Sequence, residues 1–355
     1  MIERDINRRL KKLYQDGKTI PINESSRLVI LSDLHMGNGG KRDDFIQNGE
    51  MVHTVLKDYY QEKHYTLILN GDIEELLRFS QTAIKKHWQQ IYDLFNDFLQ
   101  RKALFKLFGN HDYELHNRDK APSGPSTLPT REAVTLRHKS GDLLIFHGHQ
   151  AGRLKHDFSQ RFVSMILKYI ATPLGIKNYS VAHDSKKRYI IEKRVYDFAR
   201  SRRIIAVIGH THRPLFESLS KIDNLKFKIE HLCRKYPRSH DNQKQKLERR
   251  IKKYKNELQE LIQKKESPGG SLYQSEPLVP CIFNSGCAVG KSGVTSIEIC
   301  NNNIQLVYWF DEKKSRKYFD FNGYIPQRLG NTDYYRVVLN EEPLDYIFTR
   351  IKLLA

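Results

Sequence analysis

Five short motifs rich in Asp, Asn and His occur in one order along this chain. They are Asp33-Leu34-His35, Gly71-Asp72, Gly109-Asn110-His111-Asp112, His147-Gly148-His149 and Gly209-His210-Thr211-His212. A single motif of this kind arises easily by chance, but together the five supply seven candidate metal ligands and two further histidines, His111 and His149. Carboxylate, amide and imidazole groups in this number match the needs of a hydrolytic site that holds two metal ions.

A short apolar run precedes each motif and predicts a buried strand, because the runs are too short and too β-branched for helices. The runs span 27–31, 66–69, 103–108, 143–146 and 204–208. Helical patterns lie between them, at about 44–62, 84–100, 154–170 and 184–202, so the sequence predicts an α/β layered core. Since ligands in such folds bind beyond the carboxyl ends of strands, we expect the five motifs to converge.

Further elements are predicted at both ends of this core. Residues 1–16 place apolar side chains at helical spacing, which predicts an amphipathic leading helix. After the fifth motif, strands are predicted at 282–284, 295–300 and 304–310. The last two strands are joined around Asn301-Asn302-Asn303, a sequence typical of a hairpin turn.

Two segments are interpreted as helical insertions. Residues 152–202 separate the fourth and fifth motifs and predict a helical cap over the site. In 221–266, apolar positions step by three and four on both sides of Pro237, which predicts a hairpin of two antiparallel helices, a short coiled coil. Residues 221–265 hold fifteen Lys or Arg and six Asp or Glu. Such charge favours a solvated arm, with an anion-binding or dimerising arm as the alternative.

The formal net charge of +19 favours anionic partners, such as phosphorylated substrates, nucleic acid or an acidic membrane surface. No apolar run is long enough to span a membrane, and the basic amino terminus lacks the apolar stretch of a signal peptide. These features predict a cytoplasmic protein, with peripheral membrane attachment as an alternative. The cysteines show no CxxC pairing, so we interpret Cys233, Cys281, Cys287 and Cys300 as reduced packing residues.

The motif order resembles that of the calcineurin-like metallophosphoesterases, whose pattern is DxH, GDxx[DE], GN[HR][DE], H and GHxH. The match runs from about Arg27 to His212, and its second motif reads Gly71-Asp72-Ile73-Glu74-Glu75. The resemblance implies an α/β fold of the α+β layered kind, in which helices flank a two-sheet β-sandwich core. We divide the chain into an N-terminal helix (1–24), a metallophosphoesterase domain (25–320) and a C-terminal extension (321–355). That extension is expected to pack on the core or to join two copies in a homodimer.

Carried over position by position, the resemblance implies two metal sites that share Asp72. One divalent ion would be bound by Asp33, His35, Asp72 and His212. The other would be bound by Asp72, Asn110, His147 and His210. Mn²⁺ is the expected metal, with Fe and Zn as alternatives that accept the same ligands. A hydroxide that bridges the two ions would attack phosphorus in line.

The remaining motif residues are expected to act on the substrate. The resemblance assigns His111 to the leaving-group side, where it would protonate the departing oxygen. Glu75, in preference to Glu74, would orient His111. The alternative is that Glu75 is simply an acidic residue in the first turn of a helix, where the helix dipole favours a negative charge. Weaker candidates for substrate contacts are His149, Asn38 and Arg153. A purely structural role is the alternative for His149.

We therefore expect a metal-dependent phosphoesterase that hydrolyses a phosphate monoester or diester. An alternative within the family is a pyrophosphatase of the UDP-diacylglucosamine type, because the helical segment after His147 is similar to the lid of that branch. The residue His111 argues against this alternative, since those enzymes typically carry Arg at that position of the third motif. An alternative of another class is a nucleic-acid or membrane adaptor that works through its basic arm and has a secondary hydrolase core.

Overall fold

The computed structural model describes residues 2–115, 128–152, 184–218, 236–263, 279–290, 293–315 and 324–355, together with 225–226, 228–230, 232–233 and 319. The helix predicted at 154–170, most of the predicted cap and Arg153 lie outside the described residues.

Apart from their bounds, the helices of the described residues agree with the predicted ones, but the helix Leu344–Leu354 was not predicted. They are α1 (Ile2–Asp16), α2 (Gly49–Val55), α3 (Gln81–His87), α4 (Gln89–Gln100), α5 (Ser185–Arg202), α6 (Asp241–Gln263) and α7 (Leu344–Leu354). The helix predicted at 44–62 begins later, and its second half is the π-helical turn Leu56–Gln61. The helix predicted at 84–100 begins earlier, where Ser80 caps it by accepting a hydrogen bond from Ala83 N, and it is interrupted at Trp88, whose backbone is not helical (φ −100°, ψ 27°).

The strands include every one that the apolar runs predict. They are β1 (Lys18–Pro21), β2 (Leu28–Leu31), β3 (Thr66–Asn70), β4 (Leu104–Leu107), β5 (Thr130–Arg131), β6 (Ala133–His138), β7 (Gly141–Phe146), β8 (Ile205–Ile208), β9 (Ile282–Asn284), β10 (Val294–Cys300), β11 (Asn303–Asp311), β12 (Gln327–Arg328) and β13 (Tyr334–Pro343). The predicted hairpin is confirmed: β10 and β11 pair antiparallel, and Asn301 and Asn302 take the left-handed backbone conformation that a two-residue turn needs.

Within the described residues these strands form two mixed sheets. One has the order β1-β6-β7-β8-β9, and the other has the order β12-β13-β11-β10-β2-β3-β4-β5. Strands β2, β3 and β4 are parallel neighbours, as are β7, β8 and β9. The carboxyl ends of these strands therefore lie together, which is the arrangement that the sequence predicts for the motif loops.

Alternating side chains on the strands build two hydrophobic layers. In β2, Leu28 and Ile30 face the core between the sheets, whereas Val29 and Leu31 belong to the layer under α2 and α4. Helices α1, α5 and α7 cover the smaller sheet and the end of the core, through residues such as Leu10 and Ile347. The predicted sandwich of two sheets flanked by helices is confirmed.

Several strands were not predicted because they carry no continuous apolar run. β1 is mostly exposed, and β13 is buried only in part. Both acquire strand geometry from a partner, β1 by parallel pairing with β6 and β13 by antiparallel pairing with β11. Thus residues 334–354 contribute a strand to the larger sheet and, through α7, side chains to the core.

The basic arm has its own small apolar cluster. Leu225, Leu232 and Tyr254 are buried in it, and Leu247 and Ile251 pack against them. The described residues in 225–233 are helical, as are those of α6. Lys228 Nζ ties this cluster to the larger sheet by donating to Leu339 O in β13 at 3.3 Å.

The four cysteines are free. Cys281 is buried and Cys287 and Cys300 are half-buried, as expected of packing residues, but Cys233 is exposed, so that interpretation is wrong for it. None of the described helices combines the length and apolar composition needed to cross a bilayer.

Candidate metal centre

The five motif loops leave strands β2, β3, β4, β7 and β8 and meet where these strands end. Within each sheet, backbone hydrogen bonds join neighbouring loops: Asp33 N donates to Gly71 O at 3.1 Å, and Gly209 N donates to His147 O at 2.9 Å. His210 N donates to Asp33 Oδ2 at 3.0 Å and links the loops of the two sheets. The motifs therefore form one continuous site at the edge where the sheets meet.

Five motif residues in this site adopt a backbone conformation that is uncommon for residues other than glycine. The φ angles are 53° at Asp33, 50° at His35, 52° at Asp72, 62° at His210 and 54° at His212. Left-handed conformations of this kind cost free energy and persist only where the surrounding contacts hold them, which is typical of functional sites.

Asp33, His35 and His212 form a first cluster of metal-ligating atoms. His212 Nε2 lies 3.0 Å from Asp33 Oδ1 and 3.1 Å from His35 Nε2. His35 Nε2 also lies 3.9 Å from Asp72 Oδ2. Three ring and carboxylate atoms thus point at one small volume, with Asp72 at its border.

Asp72, His147 and His210 form a second cluster, in which the ligand atoms lie within 4.8 Å of one another. His147 Nε2 lies 3.1 Å from Asp72 Oδ2, the same oxygen that borders the first cluster. The other ring nitrogen of His147 donates to Asn70 O at 2.8 Å, which fixes Nε2 as the atom that faces the cluster. Asp72 is therefore placed to belong to both clusters.

These donor atoms fit divalent cations. His35 Nε2 and His212 Nε2 face each other at 3.1 Å, so both nitrogens are placed to bind one cation. Asn110 Oδ1 is buried and has no hydrogen-bond partner among the described residues, and His147 Nε2 faces Asp72 Oδ2 at 3.1 Å. A buried oxygen without a partner, next to these ligand atoms, fits a site that holds a cation.

Two of the candidate ligands already have the ionisation state that metal binding needs. Burial by itself raises the pKa of Asp33, but the nearby His212 and His147 outweigh it and lower the pKa to about 2. Burial and the neighbouring His147 lower the pKa of His210 to about 3. At neutral pH, Asp33 is thus an anion and His210 a neutral imidazole, the forms that bind cations. Against the effect of burial, Asp72 and Asp33 raise the pKa of His147 to about 9 and Asp33 raises that of His212, so these two rings would release a proton when a cation binds.

Glu75 connects the site to His111. Both carboxylate oxygens of Glu75 lie 2.8 Å from His111 Nδ1, and Oε2 lies 3.0 Å from His35 Nδ1. The side chain of Glu75 is only 4% exposed, whereas that of His111 is 12% exposed and can reach a bound molecule. The sequence led us to expect a contact between Glu75 and His111, but the second contact, with a candidate metal ligand, was not predicted.

The same carboxylate changes the acidity of His111. Burial lowers the pKa of His111, but the charges of Glu75 and Asp72 outweigh it and raise the pKa to about 9. The pKa of Glu75 is correspondingly held at about 2, although burial by itself raises it. The pair is therefore an ionised carboxylate and a protonated imidazole at neutral pH.

Glu74 and Asp112 have structural partners. Glu74 Oε1 accepts a hydrogen bond from Tyr92 OH at 2.8 Å and forms an ion pair with the buried Lys106. Asp112 accepts from the backbone nitrogens of Gly109 at 2.5 Å and Ile73 at 2.8 Å. Asp112 thereby joins the loops of the second and third motifs, and Glu74 is turned away from His111.

The candidates for substrate contacts lie in different surroundings. His149 is half-buried beside the second cluster, with its ring 5.5 Å from that of His147 and 6.3 Å from that of His210. Its Nδ1 has no hydrogen-bond partner among the described residues. Asn38 is exposed, and its Oδ1 accepts from Gly40 N at 3.2 Å within its own loop. A substrate role stays a prediction for both, as it does for Arg153, which lies outside the described residues.

Two residues outside the five motifs also contact this site. Glu192 in α5 and Asn284 at the end of β9 both bind Thr211, which lies between the ligand candidates His210 and His212. Neither residue carries a sequence signal that distinguishes it from an ordinary polar residue of a helix or strand. Their contacts become visible only when α5 and β9 are placed beside the fifth motif.

Comparison with protein families agrees with this geometry. The family model for calcineurin-like phosphoesterases matches residues 26–214. The matched segment covers more than half of the chain and includes all seven candidate metal ligands, together with His111 and Glu75. No curated protein matches the chain.

Proposed function

Because this chain belongs to the calcineurin-like phosphoesterase family, we propose that it is a metal-dependent phosphohydrolase that acts on a phosphate monoester or diester. The observation that carries the proposal is the pair of adjacent ligand clusters that meet at Asp72, with His111 held beside them by Glu75. Two cation sites next to a protonated imidazole suit hydrolysis of a phosphate ester.

In the proposed site, Asp33, His35, Asp72 and His212 hold one divalent ion. Asp72, Asn110, His147 and His210 hold the other. Bound ions would supply Lewis acidity toward the phosphoryl oxygens and an activated water as nucleophile. Mn²⁺ is the metal we propose for assays, with Fe and Zn as alternatives, because imidazole and carboxylate ligands accept all three.

Residues of the protein fix the charge of the site and the position of the proton that is transferred. Asp72 stays ionised, because the surrounding histidines hold its pKa well below its usual range against the opposing effect of burial. Glu75 binds Nδ1 of His111, so Nε2 is the nitrogen left to face the leaving group. From there His111 donates its proton to the departing oxygen, and Glu75 stabilises the imidazole orientation in which it does so.

A substrate panel tests the proposal. Purified protein is freed of metal, reloaded with Mn²⁺, Fe²⁺ or Zn²⁺, and assayed on nitrophenyl phosphate, bis(nitrophenyl) phosphate, nucleotides and a nucleoside-diphosphate lipid. We expect metal-dependent turnover of a monoester or diester, and loss of it in Asp33→Asn. The control is Asp44→Asn, which removes the same charge from an exposed residue paired with Arg78. Full activity of Asp33→Asn, or turnover without metal, contradicts the proposal.

The same panel addresses the pyrophosphatase alternative. The family match does not favour the UDP-diacylglucosamine branch. His111 forms the pair with Glu75 that a proton donor requires. Exclusive turnover of the nucleoside-diphosphate lipid would replace our assignment with that alternative.

A second function is proposed for the basic arm: binding of nucleic acid through the outer face of α6. Lys246, Arg249, Lys252 and Lys255 are exposed there, while the apolar side of α6 is used within the arm, around Tyr254. A helix that inserts into a membrane surface needs a free apolar face, so α6 does not fit insertion, and its row of exposed cations suits a phosphodiester backbone.

Paired charge variants test the arm. Lys246→Gln with Arg249→Gln is compared with Lys11→Gln with Lys12→Gln, which removes two exposed charges from α1. We expect the α6 variant alone to weaken binding of single- and double-stranded oligonucleotides and to lower the salt dependence. Equal binding by both variants, or preference for anionic vesicles, contradicts a nucleic-acid role.

A further inference from the structure

A buried carboxylate on α5 contacts the loop of the fifth motif. Glu192 is fully buried, and its Oε1 accepts a hydrogen bond from Thr211 Oγ1 at 2.8 Å and from Arg213 Nε at 3.3 Å. Its Oε2 forms an ion pair with the guanidinium group of Arg213. Glu192 thus binds the residues on either side of His212.

Asn284 fixes the direction of the hydrogen bond between Thr211 and Glu192. Asn284 Nδ2 donates to Thr211 Oγ1 and to Gly209 O, each at 2.9 Å, and Asn284 Oδ1 accepts from Gly286 N at 2.8 Å. Since the threonine hydroxyl accepts from Asn284, its single proton is left for Glu192. Each group in this chain of contacts is therefore fixed as a donor or an acceptor. Glu192 accepts from both Thr211 and Arg213, so an amide at this position would place a donor against a donor.

The contacts hold a strained loop. His210 and His212 both have positive φ, and Thr211 lies between them. His210 belongs to the second ligand cluster and His212 to the first. A shift of Thr211 therefore moves one candidate ligand of each metal site.

We propose that Glu192 is a positioning residue that sets the metal affinity of both sites by fixing the loop of His210, Thr211 and His212. The inference rests on the proposed function, since it requires that the two clusters bind metal. Glu192 does not face either cluster directly. It acts through Thr211 and Arg213, as polar groups behind metal ligands do when they orient those ligands.

The first test is Glu192→Gln. Whichever way the amide turns, its NH₂ group faces the hydroxyl of Thr211 or the guanidinium of Arg213, both of which are donors. We expect the affinity for Mn²⁺, measured by calorimetric titration of metal-free protein, to fall about 10- to 100-fold. The control is Asp197→Asn, which removes a charge from the same helix at an exposed residue paired with Lys193.

The second test uses the hydroxyl of Thr211. Thr211→Val keeps the side-chain shape but removes the donor to Glu192 and the acceptor for Asn284, whereas Thr211→Ser keeps both. We expect Thr211→Val to lose Mn²⁺ affinity to a similar degree and Thr211→Ser to recover most of it. A role in folding alone would lower thermal stability in these variants without changing the metal titration.

The outcomes separate the two proposals. If the unaltered protein binds no metal, the proposed function fails. If it binds metal and Glu192→Gln, folded by circular dichroism, binds Mn²⁺ as tightly as the unaltered protein does, the role of Glu192 is overturned. Equal affinities of Thr211→Val and Thr211→Ser also overturn it.

Discussion

Both carboxylate oxygens of Glu75 lie 2.8 Å from Nδ1 of His111. The same carboxylate lies 3.0 Å from Nδ1 of His35, a candidate metal ligand. One buried anion therefore orients the proposed proton donor and one wall of the first metal site. Changes at Glu75 are expected to affect both the pH dependence of turnover and metal binding.

The pH dependence of turnover should report the contact between Glu75 and His111. With its pKa raised to about 9, His111 stays protonated at neutral pH and loses its proton as the pH rises through that value. The turnover number kcat should therefore fall on the alkaline side. Glu75→Gln removes the charge that raises the pKa, so the fall should begin at lower pH. Glu24→Gln, at an exposed residue paired with Lys139, is the control and should leave the profile unchanged.

The role of His111 as proton donor predicts a dependence on the leaving group. A general acid contributes about 100- to 10,000-fold to rate, but only where the leaving oxygen needs a proton. His111→Asn should therefore slow hydrolysis of an alkyl phosphate far more than that of nitrophenyl phosphate, in steady-state assays at pH 7. An equal loss for both substrates would indicate that His111 acts in binding or positioning instead.

Metal removal should lower the stability of the fold. Without cations, the ionised and buried Asp33 and Asp72 are balanced only by histidines. A metal that binds only the folded state adds about 2.7 kcal/mol to the free energy of unfolding at a free concentration of 100 times its Kd. Treatment with a chelator should thus lower the melting temperature, and added Mn²⁺ should restore it. Asp72→Asn should show a much smaller response to metal.

A buried ion pair that contacts none of the candidate metal ligands should affect the free energy of unfolding but not turnover. Arg336 in β13 binds Glu298 in β10 through Nη2 at 2.6 Å, and Tyr60 OH donates to the same carboxylate at 2.8 Å. Arg336→Ala leaves the buried Glu298 without its cation and should cost about 3–5 kcal/mol of unfolding free energy. Denaturant titration measures this cost. The kcat of the folded variant at low temperature should match that of the unaltered protein, and a large fall would show that the sheet transmits strain to the site.

Much of the site could be anticipated because its signals are local. Each ligand candidate follows an apolar run. In β2, for example, four consecutive apolar residues predict a strand, and all four are buried in the structure. The choice between Glu74 and Glu75 was also anticipated, and the structure supplies its cause: Glu74 is occupied by Lys106 and Tyr92. The strands that were not predicted, such as β1 and β13, lie at or next to a sheet edge. Their extended backbone depends on pairing with a neighbouring strand and not on an apolar run.

The sequence by itself determined the types and order of the candidate metal-ligating residues, and the strands that carry them, because side-chain chemistry and short hydrophobic runs are properties of neighbouring residues. Only the tertiary structure decided that Glu75 also contacts His35 and that Glu192 and Asn284 meet at Thr211. Those contacts join a helix, a strand and a loop that are distant in the chain. Their hydrogen bonds depend on how the layers pack, and no local pattern of residues records that packing.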